Sequence, residues 1–143
     1  MVFISEKEMP GIAPLFAGVE ESMVWSCLQG EMGRAWADNA QNPGCARIIT
    51  GDFCFFAGNS EAAGAEELIR QFPEGNPSSF CLLIPPDEGW SGKIAQIYGD
   101  RAEKTERYAL KKEKNVFDHD RLSFYVRQLP NGYEWKPITS ALY

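Results

Sequence analysis

The sequence predicts a mixed α/β (α+β) domain, a mostly antiparallel sheet flanked by helices. Three observations carry this expectation. Helical and strand periodicities alternate through the second half of the chain, and a hairpin signal, "ARIITGDFCFFAG", precedes that alternation. The chain is 143 residues long, 44% apolar and 13% aromatic, which suits one core better than two. Residues 1–143 are therefore expected to form a single domain, without repeats, low-complexity tracts or a linker rich in Ser and Pro.

The elements follow in order. "PGIAPLFAG" carries a proline suited to a first helical turn and reaches a stop at Gly18. "EESMVWSCLQGEMG" places Val24, Cys27, Leu28 and Met32 at helical spacing, with Glu20 and Glu21 at the positive end and Gly33 as the stop. "RAWADN" reads as a short strand closed by turn formers, and "NPG" as a loop. Two runs rich in β-branched and aromatic residues then flank Gly51-Asp52, the pattern of a hairpin with a tight primed turn. Phe53 to Phe56 is apolar on both faces, so that strand is expected to be central and covered on each side.

"NSEAAGAEELIRQF" predicts a helix capped by Asn59 or Ser60, with Ala65, Leu68, Ile69 and Phe72 as its buried stripe. "SSFCLLIPP" is a buried strand ended by two prolines. "DEGWSGKIAQIYG" is a helix with Trp90, Ile94 and Ile97 on one face and Gly99 as its stop. "EKTERYALKKE" alternates as a half-exposed strand with Tyr108 and Leu110 on one side. "DHDRLSFYVRQLP" has Asp118 as cap, Leu122, Tyr125, Val126 and Leu129 as an apolar stripe, and Pro130 as terminator, and "NGYEWKPI" reads as a last strand.

Charge and cysteine usage narrow the function classes. A net charge of −6 and a pI near 4.8 argue against a nucleic-acid or anionic-membrane surface and are compatible with a cationic partner. No apolar run approaches the roughly 18 residues of a membrane span, and the opening "MVFISEKEMP" lacks the pattern of a secretory signal, so a cytoplasmic protein is expected. Cys27, Cys45, Cys54 and Cys81 form no closely spaced pair and the chain has one histidine, so no metal site is expected. A nucleophilic Cys27 or Cys45 served by His119, as in a small hydrolase, has the right residue types and no supporting motif.

Three segments carry a family resemblance. "LQGEMGRAWADNAQNPGCARIITGDFCFFAG" supplies Gly30, Gly33-Arg34, Trp36, Asp38-Asn39, Pro43, Ala46, Gly51-Asp52-Phe53 and Ala57-Gly58. "ERYALKK" and "FDHDRLSFYVRQLPNGYEWKPITSALY" continue it through Arg107 to Leu110, Phe117, Leu122, Leu129-Pro130, Gly132-Tyr133, Ile138 and Leu142-Tyr143. The ordered set resembles the N-terminal half of the GNAT-type acetyltransferases related to zwittermicin A resistance protein, from about Leu28 to the end. The resemblance implies a degenerate GNAT-like lobe. It further implies that "LPNGYEWKPITSALY" is a hinge into a C-terminal GNAT domain that binds acetyl-CoA, making this chain a front half.

A GNAT domain holds the pyrophosphate of acetyl-CoA on backbone N–H groups between a strand and a helix, signalled by Arg/Gln-x-x-Gly-x-Gly/Ala; glycines let the backbone approach and the helix dipole favours the anion. No junction here carries that signal. "NSEAAGAEE" has one interior glycine and acidic residues where phosphate belongs, and "PPDEGWSG" has two prolines without N–H donors followed by Asp87 and Glu88. "QGEMG" precedes a strand, and "IYGDRAEK" has one glycine. No cofactor site is expected in this chain, and acetyl-CoA is implied only for a full-length relative.

The remaining candidates each have a plainer role beside the chemical one. Trp36, Asp38 and Asn39 at a strand end are candidate substrate contacts, Asp38 for a cationic amine; as plain structure, Trp36 is core and Asp38-Asn39 a turn. His119 is a candidate base or a solvated first-turn residue, and Glu61, Glu66 and Glu67 an acid–base group or an exposed helix face. The sequence therefore points to an accessory lobe of an N-acetyltransferase acting on a small-molecule amine, with a stand-alone binding or dimerisation module as the alternative. In either case an apolar patch around Trp135, Ile138 and Leu142 is expected to be exposed, for the C-terminal GNAT domain or for a homodimer.

Overall fold

The structure is a computed structural model that describes residues 1–71, 80–108 and 116–137. They fall into two units, Met1–Lys104 and Thr105–Tyr143. The first unit runs β1 (Val2–Ile4), α1 (Met9–Ile12) continuing into a 3-10 turn (Ala13–Phe16), α2 (Ser22–Leu28), β2 (Arg34–Ala37), β3 (Cys45–Thr50), β4 (Phe53–Gly58), α3 (Ala65–Arg70), β5 (Leu82–Ile84) and α4 (Glu88–Tyr98). The second unit contains α5 (His119–Arg127).

The five strands lie in the sheet in chain order, β1-β2-β3-β4-β5. The first three pairings are antiparallel and the last, β4 with β5, is parallel. This is the mixed, mostly antiparallel sheet expected. The hairpin turn falls at Gly51, whose φ of +55° is the left-handed conformation a tight turn requires. Alternation along β2, β3 and β4 sends Ala35, Ala37, Ala46, Ile48, Phe55 and Ala57 to one face, against α1 and α2. Trp36, Cys45, Ile49, Cys54 and Phe56 go to the other, against α3 and α4. The apolar run of β4 is thus covered on both sides, as its composition predicts.

Several boundaries depart from the sequence reading. β1 is a strand that the short opening segment did not signal; its pairing with β2, Phe3 opposite Trp36, makes it one. α2 ends at Leu28, ahead of Gly33, because Gly30 (φ +81°) closes it: Gly30 N donates to Cys27 O and Glu31 N to Ser26 O, satisfying the last carbonyls. Met32 consequently lies beyond the helix and is exposed.

α3 starts at Ala65, later than Asn59 or Ser60, since Asn59 Oδ1 accepts from Glu61 N and holds 59–62 in a turn that competes with helix. Phe72 lies outside the described residues. Residues 103–108 and 133–137 are irregular rather than strands, Tyr108 is exposed, and Leu110 lies outside the described residues. Among the described residues no strand pairs with either segment, and alternation without a paired strand does not make one.

In the second unit, α5 begins where Asp118 caps it, the carboxylate accepting from Arg121 N at 3.0 Å. No side chain of α5 is buried.

Candidate functional site

The sheet opens between β4 and β5. The two pair only over Phe53 to Phe55 with Leu82 to Ile84, while β4 continues to Gly58. β5 is followed by Pro85 and Pro86, which have no N–H to extend the ladder. Across β4's other edge Asn59 N donates to Gly44 O, and strand alternation therefore turns the Gly58 carbonyl toward the β5 side. The donor it finds there is the indole of Trp90, whose Nε1 lies 2.8 Å from Gly58 O. The same ring stacks on Phe56 with centroids 4.9 Å apart and is fully buried. A side chain of α4 thus stands in for the missing rungs.

At the β4–α3 junction four backbone donors are taken up within the fold. Asn59 N goes to Gly44 O, Glu61 N to Asn59 Oδ1, Ala62 N to Asn59 O, and Ala65 N to Ala62 O. The first turn of α3 carries Glu66 and Glu67. At the β5–α4 junction Asp87 caps the helix, accepting from Trp90 N at 2.9 Å, and Glu88 follows in the first turn. Both helix starts already hold carboxylates, which complement the positive helix end and repel a second anion.

Beneath β3, Arg47 is fully buried. Its guanidinium lies over the Trp36 ring, 5.0 Å from the centroid, and its Nη1 donates to Leu68 O. The Tyr98 hydroxyl donates to the next carbonyl, Ile69 O, at 2.7 Å. Two side chains from other elements therefore close the C-terminal carbonyls of α3, at the negative end of its dipole, where a cation is favoured. Sequence reading missed Arg47 because it lies in an apolar run; an arginine in such a strand is the signal that could have found it.

The structure places the predicted residues as follows. Trp36 is buried, edge-on to Phe3 at 5.8 Å. Asp38 is half-buried, its Oδ1 accepting from Gly44 N at 2.9 Å and Cys45 N at 3.2 Å. Asn39 is exposed and its Oδ1 accepts from Gln41 N and Asn42 N. Asp38 and Asn39 both hold the β2–β3 connection.

Glu61 pairs with Lys93 at 3.3 Å, Glu66 with Arg70 at 2.7 Å, and Glu67 with the Met1 ammonium. His119 opens α5 in the second unit, whereas the four cysteines belong to the first. Burial pushes the Cys27 thiol up to about 11, and burial together with Asp38 pushes Cys45 up to about 12. Cys54 and Cys81 are also raised, chiefly by burial. Such thiols stay protonated near neutrality, which removes the nucleophile that a hydrolase reading needs.

Among the described residues no group of three His, Cys, Asp or Glu is placed to hold a metal, and no helix is long and apolar enough to cross a membrane.

A five-stranded mixed sheet with helices on both faces matches a GNAT-like fold. A family model described as GNAT acetyltransferase matches residues 13–143, and the chain belongs to that family. The solved structure of a GCN5-related N-acetyltransferase-like protein from Streptococcus suis 89/1591 is similar, with 32% identity and a TM-score of 0.70. The match covers 87% of this chain and 48% of that one, so this chain spans about half the length of the relative it matches. Among curated protein sequences, none matches the chain.

Proposed function

We propose that this chain is the N-terminal, non-catalytic lobe of a GNAT-like N-acetyltransferase that transfers acetyl from acetyl-CoA to a small-molecule amine. In this proposal the acetyl-CoA site lies in a C-terminal GNAT domain. Kinship with zwittermicin A resistance protein is part of the same reading and rests on the ordered residues quoted above. The observation that carries it is Trp90: where β4 parts from β5, the Gly58 carbonyl, beyond the β4–β5 ladder, is met by an indole from within the lobe. The taken-up donors and the carboxylates at the β4–α3 junction support it from the phosphate side.

The acceptor amine is then met mainly by the C-terminal domain. Asp38 is the side chain of this lobe best suited to help, a half-buried carboxylate held in place by two backbone N–H groups. Trp36 is buried and Asn39 engaged in its own turn.

The test is calorimetry with acetyl-CoA, on the 143-residue chain and on the chain extended through any downstream reading frame. Heat from the longer protein alone supports the proposal, and saturable binding by the short chain sinks it. The second reading, a stand-alone binding or dimerisation module, is favoured by Trp135, which is exposed as expected of a docking patch; Ile138 and Leu142 lie outside the described residues. A stable dimer with no downstream frame would select it.

A further inference from the structure

We infer that the second unit, Thr105–Tyr143, is the opening part of a second lobe, and that the apolar side of α5 is a core position of that lobe, covered by the polypeptide of the C-terminal domain. This rests on the reading of the chain as the front half of a longer acetyltransferase, and it moves the lobe boundary upstream, to near Lys104, from the hinge expected at Leu129.

Among the described residues of the second unit there are the apolar side chains of a core, and none of them is buried. Leu122, Tyr125 and Val126 recur at i, i+3 and i+4 on α5, one face of the helix. They are 46%, 53% and 52% exposed. Trp135 folds back on the end of that helix, its Nε1 donating to Val126 O at 3.2 Å, and is itself 68% exposed. Together these four side chains offer on the order of 400 Å² of apolar surface, within the ~300–600 Å² of a typical monomer's largest patch, here gathered on one short helix and the tryptophan beside it.

The sequence of the unit offers little to hold it in place of a core. It contains no cysteine, so no disulfide can staple it. A unit of 39 residues lies in the range where folding alone usually needs a disulfide, a metal or a partner chain. A nine-residue helix is marginal by itself in water.

The occupant follows from what the family match covers. The GNAT model matches residues 13–143, through the whole second unit, so the unit belongs to the family's fold and is not an appended tail. The similar solved chain is about twice as long, and the match accounts for 48% of it. A sequence-adjacent lobe is therefore the partner whose presence completes the unit. Its chemistry is that of a core half, an apolar face with few charges, since the α5 stripe it must cover is apolar.

The test is amide hydrogen exchange on the full 143-residue chain, beside sedimentation equilibrium at the same concentration. Expected is exchange of the α5 amides within about 100-fold of unstructured peptide rates, while β3 and β4 amides are slowed by more than about 10,000-fold, in a particle of 16.0 kDa. Val126→Glu should then shift the unfolding constant of the first unit by less than twofold. Protection of α5 equal to that of β3 in a 16.0 kDa particle would overturn the inference, because the unit would have its own core. Protection that appears only in a particle of twice that mass would overturn it too, assigning the surface to a second copy. Acetyl-CoA calorimetry fails separately: binding by the short chain defeats the functional reading whatever α5 does.

Discussion

Replacing Trp90 tests the closure of the β4–β5 opening directly. Its side chain is fully buried between α4 and the sheet. A ring of this size removes about 150–250 Å² from water, worth about 4–6 kcal/mol at ~25 cal/mol per Å². That figure is an upper bound, since an unfolded chain already hides part of the ring. Trp90→Ala should therefore cost about 3–5 kcal/mol. Trp90→Phe keeps a ring against Phe56 but removes the Nε1 donor, leaving the Gly58 carbonyl without its partner at a cost of about 1–3 kcal/mol. Urea denaturation followed by far-UV circular dichroism reads both numbers. Thermal midpoints should fall by about 4–8 °C per kcal/mol for a unit of this size. A loss below ~1 kcal/mol for Trp90→Ala, or no loss for Trp90→Phe, would refute the closure and with it the main support for a lobe without a cofactor.

The remaining predictions concern other parts of the first unit. Trp90→Ala should not gain acetyl-CoA affinity by calorimetry, because the junction donors at Glu61, Ala62 and Ala65 remain engaged. Gly64→Ala should destabilise by about 1–3 kcal/mol in the same urea assay, since its Cβ would stand 2.4 Å from Asp38 Cβ and 3.0 Å from Asp38 Cα. Asp38→Ala should lose about 1–3 kcal/mol by uncovering Gly44 N and Cys45 N, and Asp38→Asn, which keeps an acceptor oxygen, less than half as much. The raised thiols also set a pH dependence. Cys27 and Cys45 titrate near 9.0 when unfolded and at about 11 and 12 when folded, so the unfolded chain gives up its protons first. Their contribution to stability is whole below pH ~9 and lost as pH rises toward 12. Native-state alkylation at pH 7.5 should leave Cys27, Cys45 and Cys54 unmodified, and rapid labelling of any of them would contradict their burial.

Much of the fold was legible because it is written in local periodicity. Alternating apolar residues around Gly51-Asp52 specify a hairpin, and Asp87 to Gly99 specify a capped and terminated helix. The GNAT family was legible too, and the family match over residues 13–143 agrees with it. β1 was not, because three residues become a strand only when β2 offers them partners. Nor was the early end of α2, where two glycines competed for one stop and hydrogen bonds from Gly30 and Glu31 chose between them.

The sequence by itself determined the helices, the central strands and the absence of a phosphate-binding glycine signal, all consequences of neighbours within a few residues. Only the tertiary structure decided what fills the opening of the sheet, where Arg47 lies and which carbonyls of α3 it and Tyr98 close. Those contacts join residues 21 to 32 positions apart. Their energy depends on three-dimensional proximity and burial, and one-dimensional periodicity does not encode either.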